Sequence, residues 1–212
     1  MHIILISWEF PPRTIGRISD DSEKIALELA KHGCKVDVVT YHDSLIGKDS
    51  RGERLHIHRV ANPVRTHGNI VTWALTLNTE LERVAADIIY ESNDQSKLVH
   101  AFEWICVPAA IQLKKTLRTP YLLSLYSTES ERSAGGPLSG AITYLEKRGA
   151  LQAAKVIVNS NARAGIVQKN YNLPPDRLIV LDVATNPIDE LIEQYRSTLS
   201  NLGIREEQSG HP

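Results

Sequence analysis

The chain has almost no cysteine: Cys34 and Cys106 are the only two in 212 residues. Two isolated thiols build neither a disulfide framework nor a zinc site, and the plain reading is a pair of small buried hydrophobes. A charge excess is also missing. The 24 basic and 25 acidic residues are well mixed and leave a net charge of −1. That balance excludes the electrostatic footprint of a protein that binds nucleic acid or an anionic membrane surface. No apolar run approaches the ~18–20 residues of a membrane span, and the first residues lack the apolar segment of a signal peptide. No span and a cytoplasmic setting are therefore the expectations. Internal repeats and low-complexity linkers are lacking too, so one domain is favoured over two small ones.

What is present is a soluble composition, 42% apolar and 23% charged, with a regular alternation of patterns. Apolar, β-branched runs predict strands at Ile3–Ile6, Lys35–Thr40, Leu55–Val60, Leu98–Ala101, Tyr121–Leu125, Val156–Asn159 and Leu178–Leu181. Helical periods lie between them. They are marked by Ile25, Leu29 and Ala30; by Ile70, Trp73, Leu77, Leu81, Val84 and Ile88; by Val107, Ala110 and Ile111; and by Ile142, Leu145 and Leu151. A shorter helix follows the N-cap candidate Ser160, and Gly33 closes the first helix. Such alternation predicts an α/β fold: a Rossmann-like domain with a doubly wound, mostly parallel sheet, helices on both faces, and ligands at the carboxyl ends of the strands. Asn186-Pro187 opens a last helix whose stripe of Ile188, Leu191, Ile192, Tyr195, Leu199 and Leu202 must bury itself on its own sheet or on a partner. The expected partition is a domain over 1–186, this helix over 187–202 and a frayed tail over 203–212.

The first strand runs through a Pro/Gly loop into a helix expected to start near Ser19. Converging N–H groups at such a helix start suit an anion. Yet Asp20, Asp21 and Glu23 stand there and would repel one. As first-turn acids they also simply suit the helix dipole. His56 and His58 share a strand face, but no acidic or cysteine partner has metal-ligand spacing, so no metal is expected. Ser133-Ala134-Gly135-Gly136-Pro137 reads as a lid or a plain connection, and Lys114-Lys115 and Lys147-Arg148 as solvated helix faces.

Four segments in order, ISWEFPPRTIGRIS, LVHAFEW, LLSLYSTESER and KVIVNSNARAGIVQKNYNLPPDRLIVL, make the stretch from Met1 to about Leu181 resemble the N-terminal domain of retaining GT-B glycosyltransferases of the glycogen/starch synthase type, especially the archaeal glycogen synthase-like proteins. The resemblance implies two Rossmann-like domains with the active site between them. The N-terminal domain binds the acceptor, here a glucan or oligosaccharide. The C-terminal domain holds most of a nucleotide sugar such as ADP-glucose or UDP-glucose. No other cofactor is implied. By the same resemblance Arg13, Gly16, Arg17, His100, Glu103, Trp104, Tyr126 and Glu129 become candidate cleft residues, with none assigned to catalysis.

Three departures stand out within it. The family's second domain has no counterpart in these residues. Its Gly-Gly pair is Gly16-Arg17 here, so backbone approach gives way to a side chain that obstructs a phosphate or grips it as a fork. Its sugar-contacting His is replaced by Tyr126, a poor proton donor near neutral pH, while Glu129 is kept. His100, Glu103 and Trp104 match a strand-end segment, with Phe102 where a polar residue is usual. A buried His is also read as core, and Trp8 and Trp104 as sugar platforms or rim. Two functions follow: an acceptor-side transferase half, inactive alone and either cut from a longer gene or joined by a separate C-terminal subunit; or a non-catalytic carbohydrate-binding or regulatory module. A third option gives the last helix the place of the family's returning C-terminal helix. The last helix, if left exposed, would be a homodimer or partner surface.

Overall fold

The computed structural model describes residues 1–133 and 135–204. Its chain alternates strands and helices as β1 His2–Ser7, α1 Arg17–Lys31, β2 Lys35–Tyr41, β3 Gly47–Ser50, β4 Leu55–Val60, α2 Ile70–Glu91, β5 Lys97–Phe102, α3 Val107–Leu117, β6 Tyr121–Leu125, α4 Glu129–Arg132, α5 Ser139–Gln152, β7 Lys155–Val158, α6 Asn161–Tyr171, β8 Leu178–Val180 and α7 Ile188–Asn201. The strands form one sheet in the order β3-β4-β2-β1-β5-β6-β7-β8, parallel except for β3.

Strand periodicity divides the core in two. On β1, Ile4 and Ile6 face the layer of α2, α3, α5 and α6, while Ile3 and Leu5 face α1 and α7; all four are fully buried. β1 is therefore apolar on both sides, as a central parallel strand must be. Local chemistry fixes the helix ends. Asn69 and Thr72 form a reciprocal capping box at α2, and Ser160 Oγ accepts from the Arg163 N–H at α6. The α3 and α5 layers meet closely at Gly149. A Cβ there would lie 2.5 Å from Val107 Cγ2 and 3.1 Å from Leu123 Cδ2, so only hydrogen fits.

The last helix, α7, lies against α1 and β5 and buries Leu191, Ile192, Tyr195 and Leu199. Gly203 and Ile204 cap it by donating to the Ser200 and Leu199 carbonyls. The rest of the expected tail, 205–212, lies outside the described residues, as does Ala134 of the loop after α4.

The seven expected strands are present. The eighth, β3, has the sequence GKDS, which carries no apolar signal because every residue is exposed at the sheet edge. The first helix starts at Arg17, two residues ahead of Ser19, because Gly16 is already extended as its N-cap.

Candidate functional site

The strand order changes direction beside β1, whose neighbours are β2 on one side and β5 on the other. Helices leave the two strands to opposite faces, so their carboxyl ends open a crevice where α/β proteins bind ligands. The loops after β1, β5, β6 and β8 build it.

The loop after β1 is organised by Glu9. Its carboxylate is 1% exposed, and Oε2 accepts the Ile15 and Gly16 N–H groups at 2.7 and 2.9 Å. Two orphan donors ahead of α1 are thereby answered by a side chain. At the first turn of α1, Arg17 donates to Asp21 at 3.0 Å and to Asp182, in the loop after β8. Lys24 reaches the same loop through the Val183 carbonyl at 2.5 Å. The hydrogen bond that Arg17 donates to Asp182 outweighs burial and, with Asp21, raises the Arg17 pKa above its ordinary value. Burial, then the neighbouring Asp21, pushes the Tyr126 phenol well above its ordinary range. At the start of α1 the chain thus supplies its own counter-charges. Asp21 is drawn inside, while Asp20 stays exposed. Beneath Tyr126 the remaining space is a cavity of about 10 Å³, the size of one water.

The loop after β6 rests on a buried ionic cluster. Glu103 sits at φ 63°, an uncommon conformation for a side-chain-bearing residue, and is 4% exposed. Its Oε1 accepts from the Tyr126 and Ser127 N–H groups at 2.5 and 3.1 Å, and its Oε2 faces Arg132 Nη1 at 3.4 Å. Burial pushes this carboxyl up to about 7 despite the Arg132 charge and the two N–H donors. Arg132 also meets Glu129 at 3.4 Å and Glu146 at 2.5 Å. Glu146 in turn takes the Glu129 N–H at 3.0 Å and the Tyr171 hydroxyl. One guanidinium thus answers three largely buried carboxylates and fixes the turn that carries Tyr126.

The remaining candidates separate. His100 is fully buried on the α7 face, between Ser124 Oγ at 2.7 Å and the Tyr195 hydroxyl at 2.6 Å, and stacks on Phe102. Burial lowers its pKa to about 3, so it is a neutral imidazole within the core of the α7 face. Trp104 is 5% exposed and packs with the α2–α3 layer. Arg13 lies over the rings of Trp8 and Tyr41, at 5.4 and 4.9 Å from their centroids, with Trp73 edge-on to both rings. Trp8 Nε1 and Arg13 Nη1 are buried there without a hydrogen-bond partner among the described residues. An open groove of about 420 Å³ lies elsewhere, at the sheet edge among Lys48, His58, Glu80 and Arg83.

Against known proteins, the profile of glycosyltransferase family 4 matches residues 23–187. The chain belongs to glycosyltransferase family 4. An uncharacterized glycosyltransferase of Methanocaldococcus jannaschii is 28% identical over 189 residues, 88% of this chain and 47% of that protein. A glycogen synthase of Mycobacterium tuberculosis is 26% identical over 155 residues, 68% of this chain and 37% of that protein. The chain therefore spans less than half the length of these curated relatives. Among solved structures, sucrose-phosphate synthase of Thermosynechococcus elongatus superposes with a TM-score of 0.67 at 15% identity, over 84% of this chain and 47% of the other. A fragment of the same enzyme gives 0.66 at 18% identity, over 96% and 99%. At such identities the likeness shows the fold, and it is that of a GT-B N-terminal domain.

Several residues that build this family 4 crevice escaped the sequence. Glu9 stands in the quoted WEF segment, but nothing local shows that it turns back on residues 15 and 16. Arg132 meets Glu146 across 14 residues, and Arg17 meets Asp182 across 165. No spacing rule reaches that far.

Proposed function

We propose that this chain is the acceptor-side half of a retaining, nucleotide-sugar-dependent glucosyltransferase, and that it transfers sugar only with a donor-binding domain opposite its crevice. The observation that carries this is the commitment of the crevice cations. Arg17 is paired with Asp21 and Asp182, and Arg132 with Glu103, Glu129 and Glu146. Nucleotide-sugar transfer builds negative charge on the departing diphosphate, and fixed positive groups must meet it. Neither guanidinium is available for that task without leaving buried carboxylates unanswered. The stabilising charges then come from a second domain, a separate C-terminal subunit or a second copy. ADP-glucose or UDP-glucose is the proposed donor, a glucan or oligosaccharide the proposed acceptor, and the cytoplasm the proposed setting.

In this reading Glu103 positions the Tyr126–Ser127 backbone at the crevice rim, and Glu9 shapes the loop that faces the donor. Fusing the chain to the C-terminal half of the M. jannaschii relative tests the idea. Transfer from a nucleotide sugar is expected in the fusion and not in the chain alone. Turnover by the chain alone would sink it.

Arg17 and Tyr126 favour a second reading, a carbohydrate-binding or regulatory module. A fusion that binds both substrates yet stays silent, and gains transfer with Arg17→Gly plus Tyr126→His, would establish that reading.

A further inference from the structure

At the carboxyl ends of β1 and β2, Trp8, Tyr41 and Trp73 wall a corner that Arg13 crosses. Its two buried unpartnered atoms, Trp8 Nε1 and Arg13 Nη1, are both donors, and neither residue type can accept. A buried donor left unpaired costs free energy, more so on a charged group, so such atoms call for an explanation. The neighbouring contacts indicate the chemistry. Arg13 Nε touches Asp43 Oδ2 at 3.4 Å, a single long contact to a carboxylate that is 67% exposed and also takes the Tyr41 hydroxyl. Asp43 thus meets the guanidinium weakly, at Nε and from the solvent side, while the buried Nη1 has no partner among the described residues.

We propose that the Trp8–Arg13 corner binds an anionic oxygen, a carboxylate or phosphate carried by the acceptor, which takes both free N–H groups and competes with Asp43 for the Arg13 fork. The aromatic walls hold the Arg13 guanidinium against their rings with its side chain only 18% exposed, which strengthens a charge-assisted bond. The proposal rests on the acceptor-side reading above, since the corner lies on the β2 side of the crevice, away from Arg17 and Asp182.

The test is calorimetric titration of the full chain, at low salt and without any donor, using inorganic phosphate, glucose 6-phosphate, glucuronate and maltose. At least one anion is expected to bind more tightly than maltose. Glucose 6-phosphate against inorganic phosphate tells a sugar-borne anion from a free one, and glucuronate tells carboxylate from phosphate. Arg13→Met, which keeps the apolar stem between the rings, is expected to weaken anion binding by about tenfold or more, the effect of one charge-assisted bond. Arg13→Lys should fall between the two, and Trp8→Phe should weaken binding by a smaller factor. Asp43→Asn should tighten it, an effect that a purely structural role for Arg13 does not produce. No anion binding by chain shown to be folded by thermal melting overturns the proposal. So does anion binding that survives Arg13→Met and Trp8→Phe unchanged. Transfer to a neutral glucan by the two-domain fusion, with no anion binding, would leave the acceptor-side reading standing and remove this site alone.

Discussion

Single residues in this chain are set by partners far along the sequence. His100 was legible as part of a strand-end motif, but its role was not, because Tyr195 lies 95 residues away and meets it only in the folded chain. With its pKa at about 3, below the ordinary imidazole value of 6.5, His100 takes up a proton in the unfolded chain before the folded one. Its contribution to stability is present above about pH 6.5 and is lost as pH falls toward 3. Urea unfolding should therefore show stability dropping from pH 7 to pH 4, with a shallower slope for His100→Gln. Equal slopes would mean that the imidazole is not sealed. Glu103 works in the opposite direction. Its pKa of about 7 stands above the ordinary 4.5, so its own contribution declines as pH rises from 4.5 to 7 and offsets part of the His100 effect; Glu103→Gln should make the loss of stability from pH 7 to 4.5 steeper. Asp37, at the other end of the sheet, accepts from His2 at 2.8 Å and His58 at 2.7 Å. Burial opposes its charge, but the two histidines hold it well below the carboxylate range. Removing this carboxylate with Asp37→Ala leaves two largely buried imidazoles unanswered and should cost about 3 kcal/mol by chemical denaturation.

Elements were far more legible than contacts. Buried parallel strands write themselves as β-branched runs, and helices write themselves as apolar periods with capping residues, so seven strands and the long helices could be read directly. What could not be read had no apolar signature: β3, wholly exposed at the edge, and α4, only four residues long. Closeness between elements was equally hidden, and Gly149 shows why. Its hydrogen matters only because Val107 and Leu123 approach from α3 and β6. Gly149→Ala should destabilise by about 1–3 kcal/mol, the usual range for an overpacked contact, despite the better helix propensity of alanine. A higher melting temperature in that variant would contradict the packing. At α7 the covered surface is larger, and truncation before Ile188 should uncover Leu5, Phe102 and His100 and sharply lower the melting temperature. An unchanged midpoint would show that the helix contributes nothing to the core.

At the scale of the molecule, the fold and the chemistry of its crevice point in different directions. The sheet is that of a GT-B N-terminal domain, and its switch point lies where α/β sheets of this kind bind ligands. The side chains there are turned inward on one another: Arg17 to Asp21 and Asp182, Arg132 to three glutamates, Glu9 to its own loop. In the sequence, Asp20, Asp21 and Glu23, with Arg17 in place of a glycine, argue that the α1 start no longer suits an anion. The structure replaces that with a defined contact, because Asp21 neutralises Arg17 while Asp20 remains in solvent. The most direct measurement is a transfer assay on the purified chain alone, with ADP-glucose or UDP-glucose and a malto-oligosaccharide, following nucleoside diphosphate release together with acceptor elongation. The expected result is neither release nor elongation at any donor concentration, with both appearing once a donor-binding domain is joined to the chain. Stoichiometric release and elongation by the chain alone would contradict it.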